Sequence, residues 1–128
     1  MTLVLDSGGI SMLVGQRARL QELRRRQEWP PIVPAAVLVE ALTGDRRRDF
    51  HENRLLRMCA VEGVDDDLAR DAARLRAAAG GHRSPSAVDA IVVARADRAA
   101  GSAVLTAGPD DLRALARHTT NPVRISTG

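Results

Sequence analysis

The sequence contains no lysine, because all 19 of its basic residues are arginine. Walker-type phosphate loops need a lysine that reaches the bound phosphates, and Schiff-base enzymes need a lysine amine that attacks a carbonyl. Both classes are therefore excluded. Arginine is well suited to bidentate contacts with phosphate groups, so partners that contain phosphate stay open.

Aromatic residues and cysteine are almost as rare as lysine. Trp29 and Phe50 are the only aromatic residues, which argues against a base-stacking platform for single-stranded nucleic acid. The single cysteine, Cys59, cannot form an internal disulfide and suits a reducing compartment, so we predict a cytoplasmic protein. No apolar run approaches the roughly 20 residues that span a bilayer, and the N-terminus lacks a signal-peptide pattern. We therefore predict no membrane partner.

The 128 residues, of which 45% are hydrophobic, suit a single domain over residues 1–128 with a formal net charge of +3. The predicted strands cover residues 3–5, 32–33, 59–64, 103–106 and 123–126. The predicted helices cover residues 10–13, 16–27, 35–42, 45–58, 65–79, 87–100 and 111–117, and a loop covers residues 82–86. This alternation predicts an α/β fold in which a parallel sheet has helices on both faces.

A carboxylate directly follows the first predicted strand. The apolar residues 3–5 are typical of a strand buried on both faces, and Asp6 comes next. Ligands of open α/β sheets bind just beyond the carboxyl ends of the strands, which is where Asp6 would lie. Asp6 could merely cap the next helix, but Ser7 is available as a cap, and a buried carboxylate is costly without partners. We therefore interpret Asp6 as a functional residue.

Two further acids lie in strongly apolar helical stretches. Glu40 has apolar neighbours on nearly all sides, which predicts a buried helix and a paired or pocket-facing carboxylate. An exposed glutamate on a narrow polar stripe is the alternative. Asp89 follows Ser86 at the spacing of a capping box, which needs no catalysis. A functional role, which does not exclude the cap, places Asp89 at the start of a buried helix that faces the strand ends.

The fourth acidic position follows the predicted strand 103–106. Asp110 and Asp111 come after Pro109, where acids are common at helix starts, and in the functional interpretation one of them lies near Asp6. Three or four carboxylates that meet without a lysine would repel one another, and a divalent cation would relieve this repulsion. Oxygen ligands without cysteine or histidine favour Mg²⁺ or Mn²⁺ over Zn²⁺.

These four parts resemble a known family. The segments Leu-Val-Leu-Asp6-Ser, Val-Leu-Val-Glu40, Ser-Ala-Val-Asp89-Ala and Leu-Thr106 followed by Pro-Asp-Asp-Leu are similar to PIN-domain ribonucleases, especially the VapC toxins of toxin–antitoxin pairs. The resemblance covers essentially the whole chain. It implies a three-layer α/β/α sandwich with a central, mostly parallel sheet.

The resemblance also implies an activity, a cofactor and partners. The activity is Mg²⁺- or Mn²⁺-dependent endonucleolytic cleavage of RNA by a homodimer, which a VapB-type antitoxin blocks. Asp6, Glu40 and Asp89 match the three core acidic positions of the family. Metal would bind chiefly through Asp6 and Asp89, and Glu40 would hold a ligand water or a second metal. Asp110 is assigned to the fourth position, with Asp111 as the alternative.

Two departures from the family pattern support a different function. The family usually has asparagine two residues after the first aspartate, where this chain has Gly8, and a polar or acidic residue where this chain has Gly108. The alternative is therefore a degenerate PIN domain that binds protein or RNA without cleaving. The arginine runs at residues 24–26 and 46–48 are candidates for holding an RNA backbone, although a solvated surface explains either run as well.

Overall fold

The computed structural model of the chain describes residues 1–80 and 85–128. Within these residues five strands form one sheet: β1 (Leu3–Leu5), β2 (Ile32–Pro34), β3 (Ala60–Glu62), β4 (Ser102–Leu105) and β5 (Val123–Ser126). The strand order is β3-β2-β1-β4-β5, and every neighbouring pair is parallel. The predicted α/β fold with a parallel sheet is confirmed. Of the predicted loop at 82–86, residues 82–84 lie outside the described part of the chain.

β1 lies at the centre of the sheet, between β2 and β4. All three of its residues are buried, as the apolar run predicts, and its last residue, Leu5, pairs in register with Leu105 of β4. The next residue of each strand is polar, Asp6 after β1 and Thr106 after β4. The parallel register therefore sets Asp6 and Thr106 side by side at the carboxyl edge of the sheet.

Two groups of helices cover the sheet. The helices are α1 (Ser7–Val14), α2 (Arg17–Arg25), α3 (Leu38–Ala41), α4 (Phe50–Leu56), α5 (Asp66–Ala78), α6 (Ala87–Asp97) and α7 (Pro109–Ala116). The first group consists of α2, α3 and α4 around α1, and the second consists of α5 and α7 around α6. Since β1 and β4 are buried at every residue, both sheet faces are covered, which gives three layers. None of the described helices is long and apolar enough to cross a membrane.

In two of the helices whose bounds differ from the prediction, α1 and α4, acidic side chains that bind backbone amides account for the difference. α1 begins directly after Asp6, whose carboxylate accepts a hydrogen bond from the backbone N–H of Gly9. The helix predicted at 45–58 is confined to Phe50–Leu56. The residues before it form a loop in which Asp45 and Asp49 accept backbone N–H groups, an alternative that short acidic side chains offer to helix formation.

Candidate active site

Asp6 is held at the carboxyl end of β1 through both of its carboxylate oxygens. Oδ1 accepts the backbone N–H of Gly9 at 2.8 Å, and Oδ2 accepts the hydroxyl of Thr106 at 2.5 Å. Asp6 is the N-cap of α1, so the expectation that Ser7 would take this role is wrong. Asp6 is only 8% exposed. Its carboxylate is therefore fixed in direction, while each oxygen keeps a further lone pair for a ligand.

Glycine at positions 8 and 9 lets α1 approach the end of β4. A Cβ atom on Gly9 would overlap the carbonyl oxygen of Leu105, and one on Gly8 would lie 2.8 Å from the backbone nitrogen of Ala107. The asparagine that the family usually has at position 8 would therefore require this backbone to move. The close approach places the start of α1, with Asp6 as its cap, against the end of β4.

Thr106 orients the Asp6 carboxylate, a role that the sequence analysis did not assign. Its hydroxyl donates to Asp6 and accepts the backbone N–H of Gly108 at 3.0 Å, and the residue is 1% exposed. Because the Thr106 hydroxyl donates one hydrogen bond and accepts another, its orientation is fixed. It therefore fixes the position of the Asp6 oxygen to which it donates. The sequence signal that could have identified Thr106 is its position directly after β4, the strand that pairs in parallel with β1.

Asp89, in the first turn of α6, is subject to the charges of three other carboxylates. Burial raises its pKa most, and a hydrogen bond with the Ser86 side chain lowers it. The negative charges of Asp6, Asp111 and Glu40 each raise the pKa further. The Ser86 hydroxyl also accepts the backbone N–H of Asp89 at 3.0 Å, so the predicted cap is present. Asp89 therefore takes part in the cap of α6 through its backbone N–H and belongs to the carboxylate cluster through its side chain.

Glu40 is exposed, so the predicted burial of its helix is wrong. The segment predicted as one helix at 35–42 consists of a 3₁₀ turn, Ala35–Val37, followed by the short helix α3. No residue of α3 is fully buried, and Val39 beside Glu40 is 82% exposed. Apolar neighbours on all sides did not indicate burial here, because a helix of one turn has no long face to cover. The Glu40 carboxylate nevertheless contributes to the charge at Asp89.

The fourth acidic position lies in the first turn of α7, where Asp110 and Asp111 are both exposed. Of these two residues, Asp111 has the charge that raises the pKa of Asp89. Gly108, at the position where the family has its polar or acidic residue, has open space where a Cβ would lie. Asp111 is therefore the better candidate for the fourth carboxylate, and the assignment of Asp110 stays a prediction.

The carboxylate oxygens of this cluster are the type of ligand that a hard divalent cation binds. None of its four carboxylates, those of Asp6, Glu40, Asp89 and Asp111, forms an ion pair with a described residue. Within residues 1–80 and 85–128, no three His, Cys, Asp or Glu side chains are grouped closely enough to hold a metal ion directly. Mg²⁺ usually keeps several waters and binds through one or two carboxylates. The cluster therefore suits a hydrated ion, with Asp6 and Asp89 as its least exposed members.

Comparison with solved protein structures identifies the fold of this chain. No protein-family model and no curated protein sequence matches the chain. A structure of FitAB bound to an IR36 DNA fragment aligns with a TM-score of 0.63 and 17% identity, over 96% of this chain and 94% of that chain. Mycobacterium tuberculosis VapC20, a sarcin–ricin loop cleaving toxin, aligns with a TM-score of 0.62 and 20% identity, over 88% of this chain and 94% of that chain.

The chain has the PIN-domain fold. At these identities the likeness concerns the course of the backbone. The expected three-layer PIN sandwich with a parallel sheet is confirmed.

Proposed function

We propose that this PIN-fold protein is a metal-dependent endoribonuclease and the toxin of a VapBC-type toxin–antitoxin pair. The observation that carries the proposal is the buried Asp6 carboxylate, which Gly9 and Thr106 hold at the carboxyl end of β1, and whose negative charge, with those of Glu40 and Asp111, raises the pKa of Asp89. VapC20, which shares the fold, is a sarcin–ricin loop cleaving toxin, and this supports RNA as the substrate class.

Asp6 and Asp89 would hold a Mg²⁺ or Mn²⁺ ion. When bound, the ion would supply positive charge near the scissile phosphate and a water of lowered pKa for hydrolysis. Asp6 contributes a carboxylate of fixed direction, because Gly9 and Thr106 each donate to one of its oxygens. Asp89 contributes a carboxylate whose pKa is raised by three neighbouring negative charges, so a bound cation would stabilise its charged form.

Glu40 and Asp111 form the exposed side of the cluster. Their accessible carboxylates suit contacts with water ligands or with a second ion, which is the role that the family resemblance implies for Glu40. An exposed carboxylate keeps its hydration, so it binds an ion less directly than a buried one. We therefore assign Glu40 and Asp111 to positioning water and substrate around the ion that Asp6 and Asp89 hold.

A VapB-type antitoxin is the protein partner that we propose for a groove between α1, α2 and α4. The groove has a volume of about 670 Å³, and its apolar lining includes Leu13 and Trp29. Arg17, Arg24 and Arg54 also line it. An amphipathic segment with acidic residues matches this combination of apolar surface and positive charge.

We also propose that two copies of the chain form a homodimer. Three large apolar side chains of the first helix group and the β3 edge are exposed: Val39 by 82%, Phe50 by 57% and Val61 by 43%. Phe50 and Val61 line the same groove, of about 690 Å³, together with Leu38 of the helix that carries Val39. Clustered apolar exposure of this kind is typical of a protein–protein interface.

Mn²⁺-dependent cleavage of RNA by purified variants tests the proposed activity. Asp6→Asn and Asp89→Asn preserve side-chain shape and remove the charge, so each should lower the cleavage rate about a thousandfold, which corresponds to ~4 kcal/mol. Growth inhibition should be lost in parallel. The matched control is Asp66→Asn, which removes the same charge from an exposed first-turn residue of α5. Circular dichroism should show the same fold for all three variants.

Unchanged cleavage by Asp6→Asn or Asp89→Asn would contradict the proposal. The alternative, a degenerate PIN domain that binds protein or RNA without cleaving, is favoured by Gly8 and Gly108, which replace residues that the family usually has. Calorimetry separates the two functions: absence of Mn²⁺ binding at millimolar metal would favour the degenerate domain.

A further inference from the structure

The two arginine runs differ in the contacts that their guanidinium groups already make. In the run 24–26, the first guanidinium lies over Trp29, 4.7 Å from the ring centroid, and the other two form ion pairs with Glu22. In the run 46–48, all three side chains are exposed, and none forms an ion pair with any residue that the structure describes. The guanidinium groups of the second run therefore have no charged or aromatic partner among the described residues.

The run 46–48 lies in a loop whose backbone is fixed by Asp49. Asp49 is 3% exposed, and its carboxylate accepts the backbone N–H of Thr43 at 2.9 and 3.0 Å, the hydroxyl of Thr43 at 2.9 Å and the backbone N–H of Gly44 at 2.9 Å. These donors lower the pKa of Asp49, and the backbone N–H of Thr43 contributes most. Asp45 adds a second constraint, because its Oδ1 accepts the backbone N–H of Arg47 at 2.8 Å.

This loop begins three residues after Glu40 of the carboxylate cluster. It joins α3, which carries Glu40, to α4. Both helices contact α1, the helix that Asp6 caps. The three arginines therefore project from a constrained backbone on the helix group that borders the acidic site.

We infer that the loop at residues 43–49 binds the RNA backbone beside the site, with Arg46, Arg47 and Arg48 as its phosphate ligands. Arg46 also lines the groove proposed for the homodimer, so the two surfaces adjoin at this residue. This inference rests on the proposed function, because it takes RNA as the substrate. Exposed guanidinium groups without ion-pair partners form bidentate hydrogen bonds with phosphate oxygens, and such contacts position a strand without reading its bases. They would offset the repulsion between the carboxylate cluster and the approaching phosphates.

The experiment measures binding of a labelled single-stranded RNA oligonucleotide in EDTA, from about 50 to 200 mM salt. The triple variant Arg46→Gln, Arg47→Gln, Arg48→Gln should weaken binding about tenfold at low salt. The slope of log K against log salt should fall by about 2, because each phosphate contact on a single strand contributes about 0.7. The matched control replaces the three arginines of the run 24–26 by glutamine, removes the same net charge, and should change the slope by less than about 0.5.

Asp49→Asn tests whether the loop is built for this purpose. Removal of a negative charge beside the arginines would strengthen RNA binding if charge alone mattered. We expect weaker binding, because asparagine cannot accept all the hydrogen bonds of Thr43 and Gly44, and no further loss when the three arginines are already glutamine. Thr43→Val, which removes one of these bonds, should shift RNA binding in the same direction by about twofold and serves if Asp49→Asn fails to fold.

Three results would overturn the inference. The first is an equal loss of slope in both triple variants, because net charge would then explain the effect. The second is an unchanged slope in the 46–48 variant. The third is loss of binding to a polyglutamate peptide with unchanged RNA binding, which would assign the loop to an acidic protein partner. Since binding is measured in EDTA, these results are independent of whether the protein cleaves RNA.

Discussion

Asp6 and Glu40 both act on the carboxyl group of Asp89, but the fold supports the two side chains differently. Asp6 ends a buried strand, caps a helix and has a donor on each oxygen. Glu40 is exposed on a one-turn helix that has no fully buried residue. One side of the cluster is therefore fixed by the sheet and the other by a short surface element.

This difference indicates how the two sides respond to a ligand. A carboxylate whose orientation is fixed by buried hydrogen bonds is preorganised, so little is lost when an ion binds. An exposed carboxylate on a short helix loses side-chain entropy on binding, but it adapts to a hydrated ion or to a substrate of variable shape. Substitutions that disturb the buried support of Asp6 and substitutions that alter the exposed Glu40 should therefore have effects of different size.

The largest effect is expected where α1 contacts β4. Gly9→Ala places a Cβ atom against the carbonyl oxygen of Leu105, so the helix that Asp6 caps must move away from the sheet. We expect the free energy of unfolding to fall by about 3 kcal/mol or more, as overpacking against backbone does. Urea denaturation measures this change.

The control for this prediction lies on the same helix. Gly15, the C-cap of α1, has a φ of −103° and nothing within 4 Å of the position of a Cβ. Gly15→Ala should therefore change the free energy of unfolding by less than about 0.5 kcal/mol. If both alanine variants proved equally stable, the close approach at Gly9 would not be what supports Asp6.

A smaller effect is expected when the hydroxyl that orients Asp6 is removed. Thr106→Val keeps the shape of the side chain but leaves the N–H of Gly108 and one oxygen of Asp6 without their partner. We expect a loss of about 1–3 kcal/mol in unfolding free energy and weaker Mn²⁺ binding by calorimetry. Thr106→Ser, which keeps the hydroxyl, should restore Mn²⁺ affinity. Equal Mn²⁺ affinity in the valine and serine variants would show that the hydroxyl does not orient Asp6.

The sequence predicted the part of the fold that hydrophobic patterning determines. β1, the parallel sheet and its alternation with helices follow from apolar runs that end at turn residues, and α6 follows from the Ser86 cap and its apolar body. The positions of Asp6 and Asp89 were predictable for the same reason. Asp6 directly follows β1 and Asp89 lies in the first turn of α6, and both elements have a strong hydrophobic pattern.

The parts that could not be predicted depend on local hydrogen bonds and on distant contacts. The role of Asp6 as a cap, in place of Ser7, depends on the geometry of the turn after β1. The loop before α4 depends on Asp49, whose bonds to Thr43 compete with a helix that the sequence pattern favours. The exposure of Glu40 depends on how few turns its helix has, which a run of apolar neighbours does not reveal.

The smallest predicted effect concerns the charge that the cluster carries without metal. Burial and three carboxylates raise the pKa of Asp89 above its ordinary value of 3.8. Ionisation of Asp89 therefore lowers the free energy of unfolding as the pH rises through 3.8 and the raised folded-state pKa, and the loss is complete above both pKa values. Asp89→Asn removes this loss, since Ser86 still caps α6 through the backbone N–H of residue 89.

We therefore expect metal-free Asp89→Asn to unfold about 2 °C higher than the unmodified protein at pH 7 and at the same temperature near pH 3. Glu40→Gln should act in the same direction with a smaller shift, because Glu40 is exposed and its charge is screened. Added Mn²⁺ should reverse the order, since it stabilises the carboxylates and has less to bind in the amide variants. A lower midpoint for Asp89→Asn without metal would mean that Asp89 is stabilised by its surroundings, and the cluster would then have no repulsion for a cation to relieve.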